Sequence, residues 1–280
     1  MDGNGGHIPH AAGTPWESAD VGCGKRLSPA PRRAYESAML LSIVIPAYNE
    51  EKELPGCLAS VHAAAAACGL GPGTIEVIVC DNNSSDATAA VARQGGAQVV
   101  FEPVNQISRA RNAGAAAAGG VWLLFVDADS RLAAENLRRV AEMARLDAPV
   151  AGGGCVIGLD GIPWWTRPGV WSWNLYSVLR RAAAGSFVFS RARAHREIGG
   201  FSTERFAAEE LDYSRRLRKW GRDHGWRFVV LRGHPHMSSG RKFQQRPPAE
   251  LILLLFRLLV SYRNVIRDRR ALDYFYDGRR

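Results

Sequence analysis

The stretch "VWLLFVDADS", residues 121–130, ends an apolar run on two aspartates, Asp127 and Asp129. An acidic surface turn would produce such a pair, and so would a site for a cation and a phosphate-bearing ligand. The choice depends on where the chain's other polar clusters fall. Three further apolar runs precede this one: "LLSIVIPA" (40–47), "TIEVIVC" (74–80) and "QVVFE" (98–102). Each is short and nearly continuous rather than alternating, as expected of parallel strands covered on both faces. Helix-like segments separate them. Residues 51–68 carry Leu54, Leu58, Val61, Ala65 and Cys68 at helical spacing, with Gly69 as the stop. Ser84 or Ser85 is placed to cap a second helix ending at Gly95-Gly96, and "QISRARNAGAAAAGG" (106–120) closes a third on glycines. This alternation predicts right-handed crossovers and an α/β fold: a Rossmann-like, mostly parallel sheet with helices on both faces.

In such a sheet, ligands bind beyond the carboxyl ends of the strands. The first strand is followed by Pro46-Ala47-Tyr48-Asn49-Glu50, the second by Asp81-Asn82-Asn83-Ser84, and the fourth by Asp127-Ala128-Asp129. Three polar clusters on one edge favour a site over an incidental turn. With strand-like geometry both aspartates point the same way. Two carboxylates suit Mg²⁺ or Mn²⁺, completed by substrate phosphates; the cation would neutralise a departing diphosphate. Asp81 is placed either to accept hydrogen bonds from a base or ribose, or to form an Asx turn. Pro46 to Tyr48 would wall the opposite side of that slot.

Past residue 150 the pattern loosens. "PVAGGGCVIG" (149–158), "SFVFS" (186–190) and "RFVVL" (227–231) read as strands, and "AAEELDYSRRLRKWG" (207–221) reads as a helix with Leu211, Ser214 or Arg215, and Arg218 on successive turns. Charge divides along the chain. Residues 39–160 hold 8 basic and 13 acidic side chains, whereas 161–240 hold 14 and 6, and 241–280 hold 10 and 4. An acidic first half suits a bound cation; a basic second half suits an anionic substrate or membrane face. Residues 1–38 are Gly-, Pro- and Ala-rich and read as a disordered tail, with Met39 as an alternative start. The five cysteines form no C-x-x-C pair, which suits a reduced cytoplasmic protein. No run of 18 apolar residues predicts a spanning helix.

Taken together, "VIPAYNEE", "VCDNNSSDAT", "SRARNAGAAAAGG", "LFVDADS", "GGF" and "EELDYSRRL" resemble, in order, the signature set of family 2 glycosyltransferases with the GT-A fold. The resemblance covers about residues 43 to 245. It implies a GT-A domain over 39–245, with a nucleotide-binding half (39–130) and an acceptor half (131–245). It further implies an inverting transfer of sugar from a nucleotide-diphosphate sugar to a hydroxyl of a carbohydrate, lipid-linked or small-molecule acceptor. Carried across, Pro46, Ala47, Tyr48 and Glu50 match the nucleotide-contacting first loop, and Asp81 matches the base-binding aspartate. Arg111 and Asn112 match the pair facing the diphosphate. Asp127 and Asp129 match the D-x-D pair that meets ribose, sugar phosphate and metal. The family's base lies in a Glu-Asp motif; here Glu209-Glu210 stands there, with Glu210 in the aspartate's place. An acidic first helical turn would also account for these residues. Asp212 reads as structural. Where many relatives carry a glycine before the "RN", this chain has Gln106 and Ile107, so Arg109 receives no role.

His234 and His236 follow the last core strand, either as turn residues or, for His236, as a third metal ligand. Arg241 and Lys242 are placed to touch the diphosphate. Trp164, Trp165, Trp171 and Trp173 suit sugar stacking, a lipid headgroup layer or core packing equally. Residues 246–280 read as a basic amphipathic C-terminal helix that either lies along the inner face of a membrane or docks on the domain itself. A non-catalytic nucleotide-sugar- or membrane-binding protein of the same fold is an alternative. A dinucleotide-dependent oxidoreductase is weaker: Pro46-Ala47-Tyr48 fills the turn where G-x-G-x-x-G is needed, and "GLGPG" (69–73) follows a helix. No nucleic-acid-reading module is present.

Overall fold

The computed structural model describes residues 39–241; the tail expected over 1–38 and the helix expected over 246–280 lie outside them. The first half alternates as the apolar runs predict. Strand β1 (Leu41–Ala47) leads to helix α1 (Leu54–Ala67), β2 (Ile75–Asp81) to α2 (Thr88–Gln94), and β3 (Gln98–Phe101) to α3 (Ile107–Ala117) and β4 (Trp122–Val126). These four strands are mutually parallel in the order β3-β2-β1-β4. The chain thus moves outward from β1 to β3, then returns to β4 on β1's other side. That reversal opens a crevice beyond the carboxyl ends of β1 and β4.

Both faces of the central strands are buried, which explains their unbroken apolar runs. Ile43, Ile45, Leu124 and Val126 pack with Leu54, Leu58 and Val61 of α1 on one face. Val44, Leu123 and Phe125 pack on the other. There α3 lies so close to β1 that a Cβ at Gly114 would sit 2.5 Å from Val44 Cγ1.

The second half widens the sheet and mixes its directions. After a two-residue strand β5 (Ser130–Arg131) come α4 (Ala134–Arg145), β6 (Val150–Asp160), a 3₁₀ turn at Trp164–Thr166 and α5 (Arg167–Arg180). Then follow β7 (Phe187–Arg191), α6 (Ala192–Glu197), α7 (Glu209–Asp223) and β8 (Arg227–Ser239). The full order is β3-β2-β1-β4-β7-β6-β8-β5; β7 runs against both β4 and β6, β8 runs with β6, and β5 runs against β8.

Three local expectations are corrected. Helix α2 begins at Thr88, where Asp86 accepts the Thr88 N–H at 2.9 Å, rather than at a serine cap. Ser84 and Ser85 instead knit two loops: Ser84 Oγ accepts from the Asn49 N–H, and Asn49 Oδ1 accepts from the Ser85 N–H. The buried stripe of α7 runs through Tyr213, Leu217 and Trp220 instead of Leu211 and Arg218, because that face turns toward Phe125, Phe201 and Phe228. Strand β8 continues well past Leu231, interrupted by a register shift opposite Cys155 and Ile157. His234 is therefore exposed on an excursion, while His236 is fully buried within the strand rather than lying in a turn.

Candidate active site

The crevice at the β1/β4 reversal holds a cavity of about 320 Å³. Pro46, Ala47, Tyr48 and Glu50 line one wall, Asp127 and Asp129 the floor, and Glu209 and Glu210 the far side. The aspartates converge for a reason other than strand periodicity. β4 ends at Val126, and Asp127–Ser130 form a turn closed by the Ser130 N–H donating to the Asp127 carbonyl at 3.0 Å. The strand β5 then clamps this turn to β8: Ser239 N–H donates to the Asp129 carbonyl, and Ser238 Oγ donates to Asp129 Oδ1 at 3.3 Å. The second aspartate is thus positioned by a strand more than a hundred residues away in sequence.

Arg111 organises the floor from beneath. It is fully buried on α3, donating to Glu209 Oε1 at 2.6 Å, Asp127 Oδ1 at 3.0 Å and the Gly185 carbonyl at 2.8 Å. Its guanidinium also faces the Phe201 ring at 5.2 Å. Burial opposes the charge, but Asp127 and Glu209 overcompensate, and the pKa is raised. One side chain so joins α3, the aspartate turn, the β7 entrance and α7.

The two adjacent glutamates are thereby distinguished. Glu209 is buried and ion-paired to Arg111 at 2.6 Å. Glu210 faces the cavity. Some of its surface remains open to that space, yet protein surrounds it closely enough that desolvation dominates. With Glu209 beside it, this pushes its carboxyl up to about 8, against the opposing pull of Arg111. The residue before the pair, Ala208, adopts a left-handed backbone (φ 56°), turning the chain sharply into α7.

Other sequence-nominated residues settle differently. Asp81 ends β2 beside Ala47 on the same rim, but it lies outside the cavity lining, and its carboxylate accepts the Ser84 N–H at 3.0 Å in an Asx-type turn. Its neighbour Asn82 lines the cavity instead. Asn112 lies outside the cavity lining: its amide bonds both the N–H and C=O of Phe201, at 2.8 Å each, pinning the "GGF" turn. Arg241 pairs with Glu50 at 3.1 Å and is engaged at the rim rather than over the cavity; Lys242 lies outside the described residues. Asp212 binds Arg215 and Arg216, the arginines that follow it on α7.

Sequence reading missed a hub at Asn82 and Gln106. Asn82 donates to the carbonyls of Glu102 and Val104 and accepts the Gln106 N–H. Buried Gln106 then donates to the carbonyls of Thr203 and Arg205, fixing the loop whose Phe206, Ala207 and Ala208 close the cavity. The only signal was the substitution of Gln106 where a glycine was expected. Arg109 is exposed and stands apart.

Among the described residues no three His, Cys, Asp or Glu side chains form a metal cage. The donors present still fit a hard cation that completes its shell with ligand phosphates. Asp127 and Asp129 supply carboxylates. Burial pushes His236 down to about 4, against the charge of Asp127 and a backbone contact at Ser186. Its ring packs on Phe187, 5.0 Å between centroids, outside the cavity lining, so the sequence-nominated third ligand stands apart from the two aspartates. Cys57, Cys80 and Cys155 are buried free thiols, each pushed up to about 12 by burial, and are unreactive.

Comparison with known proteins follows the same lines. Residues 42–196 match the description Glycosyl transferase family 2. The chain is similar to an uncharacterized glycosyltransferase of Mycobacterium tuberculosis, 36% identical over 138 residues, which are 48% of this chain and 59% of that relative. It therefore spans little more than half of the relative's length. Among solved structures it is similar to a mannosyltransferase from Pyrobaculum calidifontis in complex with GDP-Man and Mn²⁺ (TM-score 0.58, 18% identity, 76% of this chain and 60% of that one). It is also similar to glucosyl-3-phosphoglycerate synthase from Mycobacterium tuberculosis in complex with Mn²⁺, UDP and glucosyl-3-phosphoglycerate (TM-score 0.55, 19% identity, 81% of each chain). These likenesses establish the GT-A fold expected from the sequence motifs.

Proposed function

The chain belongs to glycosyl transferase family 2, and from that premise we propose that it transfers a sugar from a nucleotide-diphosphate donor to an acceptor hydroxyl, with inversion at the anomeric carbon. In this reading residues 39–130 hold the donor and residues 131–245 hold the acceptor. The observation that carries it is the Asp127–Arg111–Glu209 chain, which sets Glu210 on the same cavity as the Asp127/Asp129 turn.

Pro46 to Tyr48 and Asn82 wall the nucleotide. Asp127 and Asp129 would hold Mg²⁺ or Mn²⁺ together with the ligand's phosphates, and the cation would supply charge to stabilise the departing diphosphate. The acceptor oxygen attacks the anomeric carbon from the side opposite the diphosphate. As that bond forms and the bond to the diphosphate oxygen breaks, the acceptor's proton passes to Glu210. A raised proton affinity strengthens Glu210 as the accepting group, while neighbouring Glu209 carries the ion pair with Arg111. Desolvation of the cavity enhances each of these electrostatic terms.

The test is a titration of nucleoside diphosphates with and without Mn²⁺, followed by donor-turnover assays with the nucleotide sugar that binds. Metal-dependent binding and release of nucleoside diphosphate support the reading. Binding of NAD without response to any nucleoside diphosphate overturns it. Product configuration by NMR decides inversion, and a retained anomer refutes that part.

A further inference from the structure

The segment from Trp164 to Arg181 does not share in the core. Trp164 (79% exposed), Trp171 (67%) and Leu179 (70%) project outward, together with Trp165, Leu175 and Tyr176. Trp171, Leu175 and Leu179 recur every four residues, so they form one stripe along α5. The helix is held in place from its other side. Asn174 bonds both the N–H and the C=O of Ile157 on β6, at 2.9 and 2.8 Å, and buried Ser177 donates to the Ala182 carbonyl at 2.6 Å. The apolar stripe is therefore displayed on a fixed support rather than on a loose loop. Contiguous exposed aromatic surface of this kind marks an interaction site.

Charge around the stripe selects the partner. From residue 161 to 196 the sequence has no aspartate or glutamate, but it has six arginines. At the C-terminal end of α5, Arg218 of α7 donates to the Arg180 carbonyl, and the charges of Arg180, Arg181 and Arg222 crowd around it. Among the described residues, Arg180, Arg181 and Arg222 form no ion pair. Such a cluster opposes a second copy of the same face. It also opposes the chain's own C-terminal stretch, in which residues 241–280 carry ten basic and four acidic side chains. An anionic surface with an apolar interior satisfies both features: tryptophans and leucines enter the headgroup boundary and arginines meet the phosphates. Among the described residues no helix is long and apolar enough to cross a membrane, so the contact is one of lying on the surface.

We propose that α5 and the arginines at its C-terminal end form a docking face for an anionic lipid bilayer. The loop that follows α5 reaches Gly185 and Ser186 on the cavity wall, so the docking face and the cavity are joined by a short connection. The proposal does not depend on the chemistry within the cavity.

The experiment is sedimentation of the full chain with vesicles of phosphatidylcholine alone or with about 30% phosphatidylglycerol, an anionic surface. Tryptophan quenching by brominated lipid is measured in parallel. Binding to the anionic vesicles, falling at least about tenfold in a Trp171→Gln, Leu175→Gln, Leu179→Gln variant, is expected. Arg180→Gln with Arg181→Gln should weaken it about 25-fold, at roughly fivefold per charge. These positions are exposed, and a matching thermal unfolding curve confirms that the variants fold. Three results overturn the proposal: no binding to anionic vesicles, undiminished binding and quenching in the α5 variant, or a stripe-dependent dimer in place of vesicle binding.

Discussion

Replacing Glu210 with Gln separates the chemistry of the cavity from its architecture. Glu210 sits in a desolvated wall with its carboxyl raised to about 8, so at pH 7 about one molecule in ten carries the ionised form able to take a proton. The kcat/KM of the native enzyme should accordingly climb about tenfold between pH 7 and pH 9 and then level, the apparent pKa belonging to the Glu209–Glu210 pair. Glu210→Gln keeps the shape, cannot accept the proton, and should lower kcat by about 10² to 10⁴-fold while abolishing the rise with pH. Stability should move the other way. The folded-state pKa lies above the unfolded value of about 4.5, so the folded form binds the extra proton across the window from about 4.5 to 8, and native stability falls as pH rises through it. The glutamine variant lacks that burden. It should unfold at a higher denaturant concentration than the native chain at pH 8 and match it near pH 4.5. Stopped donor-turnover assays over pH 6–9 and urea unfolding at the two pH values measure both effects. A variant that retains native turnover, or that retains a pH profile with its midpoint near 8, refutes the assignment of the base.

Arg111→Met should cost about 3–5 kcal/mol in urea unfolding, because it strands Asp127 and Glu209 without their buried partner; Arg111→Lys should not restore the loss, since one ammonium cannot reproduce the three-way fork. Asp129→Asn should weaken nucleoside diphosphate binding at least about tenfold in the presence of Mn²⁺, as read by calorimetry, and leave metal-free binding unchanged. Chelation of the metal should reproduce that loss in the native chain. Gly114→Ala should destabilise by about 1–3 kcal/mol, measured by thermal unfolding, as its methyl meets Val44 Cγ1 at 2.5 Å and α3 must shift from β1.

The local signals in the first half were strong enough to read without a structure. Continuous apolar runs such as "LLSIVIPA" could be buried on two faces only as inner parallel strands, and the glycines closing each helix marked the returns. Because ligands gather at the carboxyl ends of such strands, Pro46 to Tyr48 and the Asp127/Asp129 pair followed from order alone, and the family resemblance added Arg111 and Glu210. The second half was less legible, since β7 and β5 run against their neighbours and no local pattern announces strand direction.

What the sequence by itself determined was therefore which residue types end which strands, a property of composition and periodicity over a few residues. What only the tertiary structure decided was what each polar side chain meets. Glu209 and Glu210 are identical and adjacent and both line the cavity, yet Arg111, nearly a hundred residues earlier, pairs with one and not the other. Asn112 follows Arg111 directly, but a helix turns neighbours about 100° apart, so it binds the Phe201 backbone instead of the site. Hydrogen bonds and ion pairs act over about 3 Å in space and are indifferent to separation along the chain, which is why the partners that assign each role could be found only in the folded molecule.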